Sequence, residues 1–361
     1  MKLKSILSLM VAMLPSVALA NIPGHQSFSV VMPHHDNKLM QGNIFYPVTE
    51  QESKGLFGKG PTFEKINVIE NTEIAEGKFP LVVYSHDWGG GLGPQSWIVA
   101  DLAARGAIAV HIDHNYSLWG QNNVAKALNH WTRVQDIEET ISYVLNSEQF
   151  ATSVDKSRIM IVGFGEGGLT ALTAGGLNAS LEGVVKACET YQGKIRYCDQ
   201  MMSPEIDLSN YDQDKWNASY KIESVTSVAV IEPSLVHGLE RSDTLNLVDD
   251  VTLFSFKDGN KYDYATDIDV SGLATILPDA TRVNFNPAYR FSAALKCKPG
   301  VEKKLAEEGR FPICTDPAGS DRDSIHSQII DTLALKLSLK YAVAKSCHGL
   351  EKHCEIKTTK C

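Results

Sequence analysis

Short apolar runs alternate along the chain with stretches whose apolar residues recur every three or four positions. The runs predict buried strands, and the wider spacing predicts amphipathic helices. The predicted strands are residues 43–47, 79–85, 107–112, 159–162, 227–231, 251–256 and 283–285, and the main predicted helices are 97–105, 128–145 and 323–345. Strands and helices that alternate in this way form a mostly parallel sheet with helices on both faces. The predicted fold class is therefore α/β.

The most informative stretch is the turn that follows the strand at 159–162. It runs Gly-Phe-Gly-Glu-Gly-Gly from Gly163 to Gly168 and leads into the apolar start of a helix. A strand, a tight glycine turn and a helix form the nucleophile elbow, G-x-S-x-G, of the α/β-hydrolase fold. The position of the attacking serine is Gly165. The pattern thus predicts the scaffold of a hydrolase without its nucleophile.

Two polar segments interrupt the alternation of strands and helices. Residues 51–78 have little periodicity and are predicted to be a surface excursion. Residues 177–219 are predicted to form an insertion over the carboxyl ends of the strands, where a substrate would lie. The composition, 43% hydrophobic and 21% charged, is ordinary for a globular protein. Because no linker divides the chain, one domain over 21–361 is favoured over two smaller ones.

The first twenty residues predict a signal peptide rather than part of the fold. Lys2 and Lys4 precede an apolar stretch at 6–14, and Ala18-Leu19-Ala20 has the small residues of a cleavage site. An N-terminal membrane anchor is less favoured because the apolar stretch is short. The mature chain is predicted to begin near Asn21 and to be periplasmic or secreted.

The charge of the chain limits its partners. Removing Lys2 and Lys4 changes the formal net charge from −9 to −11. An acidic chain without a basic cluster argues against binding to nucleic acid or to an anionic membrane. No later apolar run is long enough to span a membrane, and no cofactor is implied. A small ester-like or acidic ligand remains open, as does a protein partner.

Seven cysteines in an exported chain indicate disulfide bonds. Their spacing favours three local pairs and leaves one cysteine over, as follows: Cys188–Cys198, Cys297–Cys314 and Cys347–Cys354, with Cys361 unpaired. The alternative for the last pair is a metal site, because His348 and His353 lie just inside it. A disulfide is favoured there, since cysteines in an oxidising compartment usually pair. No other metal site is predicted.

Several motifs occur in the order found in one known family. The loop Tyr84–Gly90 resembles S-H-G-x-G-G, and the turn Gly163–Gly168 lies where the family has G-H-S-x-G-G. The segment 102–114 resembles the intervening helix and strand, and the segment 314–326 resembles the closing motif. Over about 43–339 the chain is similar to exported dienelactone-hydrolase-like proteins and platelet-activating-factor acetylhydrolases.

The resemblance implies an ester-hydrolase site in which two positions are altered. Its oxyanion hole would consist of the backbone N–H groups of Trp88 and Glu166. Its nucleophile position is Gly165. Its base position falls on Tyr289 or, better, on Arg290, and an arginine cannot act as a general base near neutral pH.

The acid position of the implied triad falls on Glu232, with Asp258 as the competing position after the next strand. His237 is close to Glu232 in sequence and is kept as an alternative base. His86, His114 and His326 are predicted to be structural, because they end strands or lie on the last helix.

A further expectation concerns the helix at 128–145. Arg133 and Asp136 lie three residues apart on it and are predicted to form a local ion pair.

Three hypotheses about function follow. The leading one is an exported hydrolase-fold protein with little or no serine-esterase activity, because a glycine has no side chain to form an acyl-enzyme. The first alternative is an active hydrolase that uses a carboxylate, either Glu166 or Glu232 with His237. The second alternative is a non-catalytic binding or interaction protein.

Overall fold

A computed structural model describes residues 22–49, 55–91, 93–121, 123–208, 211–259, 263–310 and 312–339. The predicted signal peptide, the predicted Cys347–Cys354 pair and Cys361 lie outside these residues.

Ten strands in the described part of the chain form one sheet. The strands are β1 (Gly24–Met32), β2 (Lys38–Tyr46), β3 (Gly55–Phe57), β4 (Ile66–Glu70), β5 (Phe79–Ser85), β6 (Ile108–Ile112), β7 (Val154–Phe164), β8 (Ser227–Ile231), β9 (Asp250–Phe256) and β10 (Thr281–Phe285). Their order across the sheet is β10-β9-β8-β7-β5-β6-β2-β1-β4-β3. The six strands from β10 to β6 are parallel to one another. On the other side, β2 pairs antiparallel with both β6 and β1.

Helices cover both faces of this sheet. They are α1 (Ser96–Ala104), α2 (Val124–Ala127), α3 (Trp131–Asn146), α4 (Glu166–Ala174), α5 (Leu181–Thr190), α6 (Cys198–Met201), α7 (Gln213–Asn217), α8 (Leu273–Ile276), α9 (Val301–Glu307) and α10 (Arg322–Lys336). Side chains alternate along β7, so Ile159 and Ile161 pack with α3, α4 and α5, whereas Met160 and Val162 pack with α1 and α10. The prediction of a mostly parallel α/β sheet is confirmed.

Two parts of the chain differ from their predicted form. Within 51–78, β3 and β4 extend the sheet beyond β1, and Val68 and Ile69 are fully buried. The segment is therefore not only a surface excursion. The last helix ends at Lys336 rather than at residue 345, because Ser338 adopts a left-handed φ of 52°, which ends the helical conformation.

Two of the predicted disulfides are confirmed. Cys188 on α5 bonds to Cys198 at the start of α6, and Cys297 bonds to Cys314. These bonds are consistent with an extracellular or periplasmic protein. Among the described residues, no helix has the length and apolar character needed to cross a membrane.

Candidate functional site

The glycine turn lies where β7 passes into α4. Gly165 separates the two elements and has a φ of 60° and a ψ of −120°, which residues with side chains rarely adopt. Its neighbours are equally cramped, because a Cβ on Gly163 would lie 1.9 Å from the Gly167 carbonyl oxygen. A Cβ on Gly167 would lie 2.0 Å from the carbonyl oxygen of Ser85. The sequence Gly-x-Gly-x-Gly-Gly thus permits the strand, the helix and the neighbouring loop to meet closely.

The carboxylate of Asp87 fills the space in front of Gly165. A Cβ on Gly165 would lie 1.9 Å from Asp87 Oδ1 and 2.2 Å from its Cγ. The N–H of Glu166 donates to the same Oδ1 at 2.8 Å. The N–H of Trp88 also hydrogen-bonds to this carboxylate. The two backbone donors that the family resemblance implies therefore meet at a side chain of the protein itself.

Arg290 closes the same space from the opposite side. It begins the 3₁₀ turn Arg290–Ala293 and its guanidinium forms an ion pair with Asp87 Oδ2. The guanidinium also lies 5.0 Å from the centre of the Phe164 ring, a cation–π distance. The Arg290 and Asp87 side chains are only 11% and 18% exposed, so water screens the pair weakly. Burial raises the pKa of Asp87, while Arg196 and the two N–H groups lower it.

Glu232 lies at the carboxyl end of β8 and is held by neutral groups. Its Oε1 accepts from the N–H of Phe256 at 2.8 Å, and its Oε2 accepts from Thr266 Oγ1 at 2.6 Å. Burial raises its pKa to about 8, although these hydrogen bonds lower it. The carboxyl group is thus largely protonated at neutral pH. His237 Nδ1 hydrogen-bonds elsewhere, to the Tyr197 hydroxyl at 2.9 Å.

Glu166 points away from the space in front of Gly165 and into the interior. Its Oε2 accepts from Arg133 Nη1 at 2.9 Å, and both side chains are 1% exposed. Burial raises the pKa of Glu166 to about 7, with Arg133 lowering it and Asp87 raising it. The ion pair joins Arg133 to Glu166, so the prediction of a local pair between Arg133 and Asp136 is wrong. On α3, the guanidinium turns toward α4 instead of along its own helix.

A second cluster lies directly behind the turn. It contains a serine that contacts a histidine, and this histidine contacts an aspartate. Ser85 Oγ lies 2.8 Å from His114 Nε2, and His114 Nδ1 lies 2.7 Å from Asp136 Oδ2. Burial and Arg133 lower the pKa of His114 to about 4, despite Asp136, so its imidazole is neutral. These are the contacts of a serine–histidine–aspartate triad. All three side chains are fully buried.

Arg133 joins this cluster to the glycine turn. Its Nη2 donates to Ser85 Oγ at 3.2 Å and to the backbone carbonyl of His86, while its Nε donates to Thr170 Oγ1 at 3.0 Å. With Glu166 on Nη1, every nitrogen of the guanidinium is bonded. Ser85 is therefore held between an arginine and a histidine.

The remaining histidines of the sequence analysis serve to position loops. His86 Nδ1 donates to the Asp87 carbonyl at 2.7 Å, and His86 Nε2 accepts from the N–H of His114 at 3.0 Å. His326 Nε2 lies 3.0 Å from the Ser292 carbonyl, and its ring stacks on Trp97 at 3.8 Å. Their contacts hold the loop of Asp87 and the turn of Arg290 in place.

Two cavities of the described structure lie away from the glycine turn. One, of about 280 Å³, lies between β1 and α3 and is lined by Val30 and Tyr143 among others. The other, of about 140 Å³, lies near Arg241 and Pro278. Neither is lined by Gly165, Glu232 or Arg290.

Asp87 was not among the predicted site residues, although the sequence contained a signal for it. Asp87 stands at the glycine position of the S-H-G-x-G-G pattern that the loop resembles. Asp87 and Gly165 are thus two departures from the patterns that the chain resembles, and the structure brings them into contact. The contacts of Ser85 with His114 and of His114 with Asp136 had no such signal, because they depend on the packing of three separate elements.

Comparisons with known proteins support the fold. Protein-family models and curated proteins gave no match to this chain. A solved structure of a ferulic acid esterase from Streptomyces cinnamoneus is similar, with a TM-score of 0.52, 12% sequence identity and coverage of 90% of each chain. A hypothetical protein from Pseudomonas aeruginosa matches at a TM-score of 0.33 and 12% identity, over 58% of this chain and 43% of that one, which is too weak to carry an argument.

The chain has the α/β-hydrolase fold. The order of the strands in the sheet and the similarity to the esterase structure over 90% of each chain show this fold.

Proposed function

We propose that this chain is an exported α/β-hydrolase-fold protein that lacks serine-esterase activity and whose oxyanion hole is closed by its own Asp87 carboxylate. One observation carries the proposal. Asp87 Oδ1 occupies the space that a Cβ on Gly165 would need, and it accepts a hydrogen bond from the N–H of Glu166.

Serine-esterase chemistry requires groups that the proposed site lacks. A nucleophile must attack the ester carbonyl, and a base must take its proton. Gly165 has no side chain, and the guanidinium of Arg290 has no free lone pair with which to accept a proton. In a triad enzyme, loss of the serine lowered kcat by about 10⁶-fold.

The two backbone N–H groups of the proposed oxyanion hole already donate hydrogen bonds to the Asp87 carboxylate. A substrate carbonyl would have to displace the Asp87 carboxylate from the N–H of Glu166 and separate it from Arg290. Hydrogen bonds and ion pairs of a mostly buried carboxylate are stronger than those of a neutral carbonyl oxygen. The closed site therefore opposes even the residual catalysis that an empty oxyanion hole would provide.

The proposal predicts that the purified chain turns over no simple ester. Suitable probes are p-nitrophenyl acetate, p-nitrophenyl butyrate and a feruloyl ester, the last chosen because of the similar esterase structure. A fluorophosphonate tests for a reactive serine directly. We expect rates equal to buffer and no labelling, with an active serine esterase as the positive control.

Labelling at any serine would overturn the proposal. Ser85 is the serine to examine first, since it already contacts a histidine that contacts an aspartate. Loss of the label in Ser85→Ala would then assign the activity to the buried cluster instead of the glycine turn.

A second candidate function is hydrolysis through a carboxylate, and one observation favours it. Glu166 Oε1 is buried with no hydrogen-bond partner in the described structure, and the pKa of this carboxyl, about 7, suits a general base at neutral pH. Turnover without fluorophosphonate labelling that disappears in Glu166→Gln would establish this function. Turnover that persists in Glu166→Gln and disappears in His237→Gln would point to Glu232 with His237.

Absence of turnover leaves ligand binding to be distinguished from protein interaction. Small esters and carboxylic acids that raise the melting temperature would indicate a retained binding site, since a ligand bound only to the folded state stabilises it. No shift with any of them would favour an interaction protein.

A further inference from the structure

A compact group of metal-ligand side chains lies outside the candidate esterase site. His34 Nε2, His35 Nε2 and an oxygen of Asp136 all lie within 4.8 Å of one another. The two histidines come from the 3₁₀ turn Pro33–His35 between β1 and β2, and Asp136 comes from α3. Neither histidine was singled out by the sequence analysis.

We propose that His34, His35 and Asp136 form a binding site for a divalent transition-metal ion of the zinc type. The site would bind the ion through His34 Nε2, His35 Nε2 and Asp136 Oδ1, with a water molecule in the fourth position. Two imidazole nitrogens and one carboxylate oxygen are ligands that zinc accepts, whereas calcium and magnesium prefer oxygen ligands alone.

The distances fit an ion-free form of such a site. Asp136 Oδ1 lies 2.7 Å from His34 Nε2 and 3.0 Å from His35 Nε2, and His35 Nε2 also lies within hydrogen-bond distance of Oδ2, at 3.2 Å. Ligand atoms around a tetrahedral zinc with bonds of about 2.0 Å are about 3.3 Å apart. The two histidine–aspartate distances are therefore only a few tenths of an ångström shorter than in such a site, and all three ligand atoms lie within 4.8 Å of one another. Each imidazole would carry its proton on Nδ1 when the ion is bound.

The surroundings orient the carboxylate. His114 Nδ1 donates to Asp136 Oδ2 at 2.7 Å, and Oδ1 is the carboxylate oxygen nearer to both His34 and His35. A hydrogen bond to the second oxygen of a metal-binding carboxylate is a common supporting feature of metal sites. Asp136 is fully buried, so its carboxylate is held in place by these contacts and not by solvent.

An ion can reach this group from solvent. The His34 side chain is 16% exposed, while His35 and Asp136 lie beneath it. Binding would connect the turn between β1 and β2 to α3. We therefore expect the ion to stabilise the fold, because it binds ligands that are far apart in the unfolded chain.

The test compares zinc binding by the full chain and by variants, after treatment with a chelator. We expect calorimetry to show that wild type binds one more equivalent of Zn²⁺ than the double variant His34→Gln/His35→Gln. Any Zn²⁺ bound by the cysteines and histidines of residues 341–361 is the same in both proteins and does not affect this difference. His34→Gln alone removes one of the three protein ligands and should weaken that site by about tenfold or more, at least as much as loss of a supporting group does. Co²⁺ should give wild type the visible absorption of one more four-coordinate site than the double variant shows.

His25→Gln is the matched control. His25 also contacts a carboxylate, with Nδ1 at 2.9 Å from Glu70, but its other nitrogen contacts the amide oxygen of Asn43. It should bind Zn²⁺ as wild type does.

Equal stoichiometry and affinity in wild type and the double variant would overturn the proposal. If the double variant does not fold, wild type and His34→Gln decide the question, because His34 is partly exposed. A rise in the melting temperature of wild type with Zn²⁺ but not with Mg²⁺, reduced in His34→Gln, would support the site. No rise with Zn²⁺ would exclude it.

Discussion

The glycine turn and the cluster behind it differ in which features of a serine-hydrolase site they share. At the turn, the strand–helix geometry and backbone donors are present, but Gly165 and Arg290 stand where the family resemblance would place the nucleophile and the base. In the cluster, Ser85, His114 and Asp136 make the contacts of a catalytic triad, yet each is fully buried.

The difference teaches that neither residue type nor distance is enough to identify a catalytic site. A reactive serine also needs an approach for the substrate and donors for the developing oxyanion. The turn has backbone N–H donors but no serine. The cluster has a serine, but a substrate cannot approach it because it is buried. Arg133, which touches both Ser85 and Glu166, marks the boundary between the two regions.

The largest expected effect comes from removing the carboxylate of the buried cluster. Asp136→Ala leaves His34, His35 and His114 without their shared acceptor, and breaking a buried pair of this kind costs about 3–5 kcal/mol. Denaturant unfolding in the presence of a chelator measures the loss. The difference in stability between wild type and Asp136→Ala should become smaller at acid pH, because the lowered pKa of Asp136 contributes stability only while the carboxyl is ionised.

Asp331→Ala is the control for the loss of an aspartate. Asp331 pairs with Arg105 and is 53% exposed, so its loss should cost less than about 1 kcal/mol. A similar small loss for Asp136→Ala would contradict the view that the cluster is a rigid structural centre.

The next largest effect should follow from placing a serine at the turn. Gly165→Ser places its Cβ against the Asp87 carboxylate, and we expect a loss of about 2–4 kcal/mol from overpacking and backbone strain. The loss should shrink in an Asp87→Gly background. Unfolding of the two single variants and the double variant gives the coupling energy between the positions.

Gly259→Ser is the control that separates the cost of backbone strain from the cost of the collision with Asp87. Gly259 has a φ of 62°, close to that of Gly165, but nothing lies within 4 Å of a Cβ there. Its substitution should cost about 1 kcal/mol, from the backbone alone. Equal losses at both glycines, or additive effects of Gly165→Ser and Asp87→Gly, would show that Asp87 does not block the serine position.

Glu232 should make the stability of the protein depend on pH. Its folded-state pKa of about 8 lies above the ordinary value of 4.5, so the folded state binds more protons and stability decreases as the pH rises between these values. We expect a decrease of about 2–3 kcal/mol between pH 5 and pH 7 from this group. Glu232→Gln can keep both hydrogen bonds and should abolish this contribution to the slope of unfolding free energy against pH.

Urea unfolding at several pH values provides the measurement. Glu189→Gln, at an exposed glutamate of α5, serves as the control and should leave the slope as in wild type. An unchanged slope in Glu232→Gln would show that Glu232 is ionised at neutral pH, as an acid of a working triad would be.

The smallest effect is expected for Ser85→Ala. It leaves His114 Nε2 and one hydrogen of Arg133 unpaired, at a cost of about 1–2 kcal/mol. Ser117→Ala is the matched control, because Ser117 is equally buried but its Oγ has no partner in the described structure. A Ser85→Ala variant as stable as Ser117→Ala would show that the serine contacts contribute nothing measurable.

Much of the fold could be predicted from sequence because its signals are local. The strands β5 and β8 have the predicted bounds, since each is an apolar run bordered by polar or turn residues. The strands β3 and β4 could not be predicted in this way. They are short, and they are strands only because β4 pairs with β1 at the edge of the sheet and β3 pairs with β4.

The site was predictable only in part, for a related reason. The turn at Gly165 is formed by consecutive residues, whereas Asp87 and Arg290 are 203 positions apart in the chain. Their ion pair depends on where two separate loops lie in the folded protein. The orientation of Arg133 toward Glu166 likewise depends on the packing of α3 against α4, which no spacing rule within α3 contains.

The contact between Asp87 and Gly165 also couples these two positions in any change of sequence. A serine at position 165 alone would meet the Asp87 carboxylate, and a glycine at position 87 alone would leave Arg290 without its ion partner. Each single substitution thus gives a less stable protein, and only the two changes together avoid the collision at the turn.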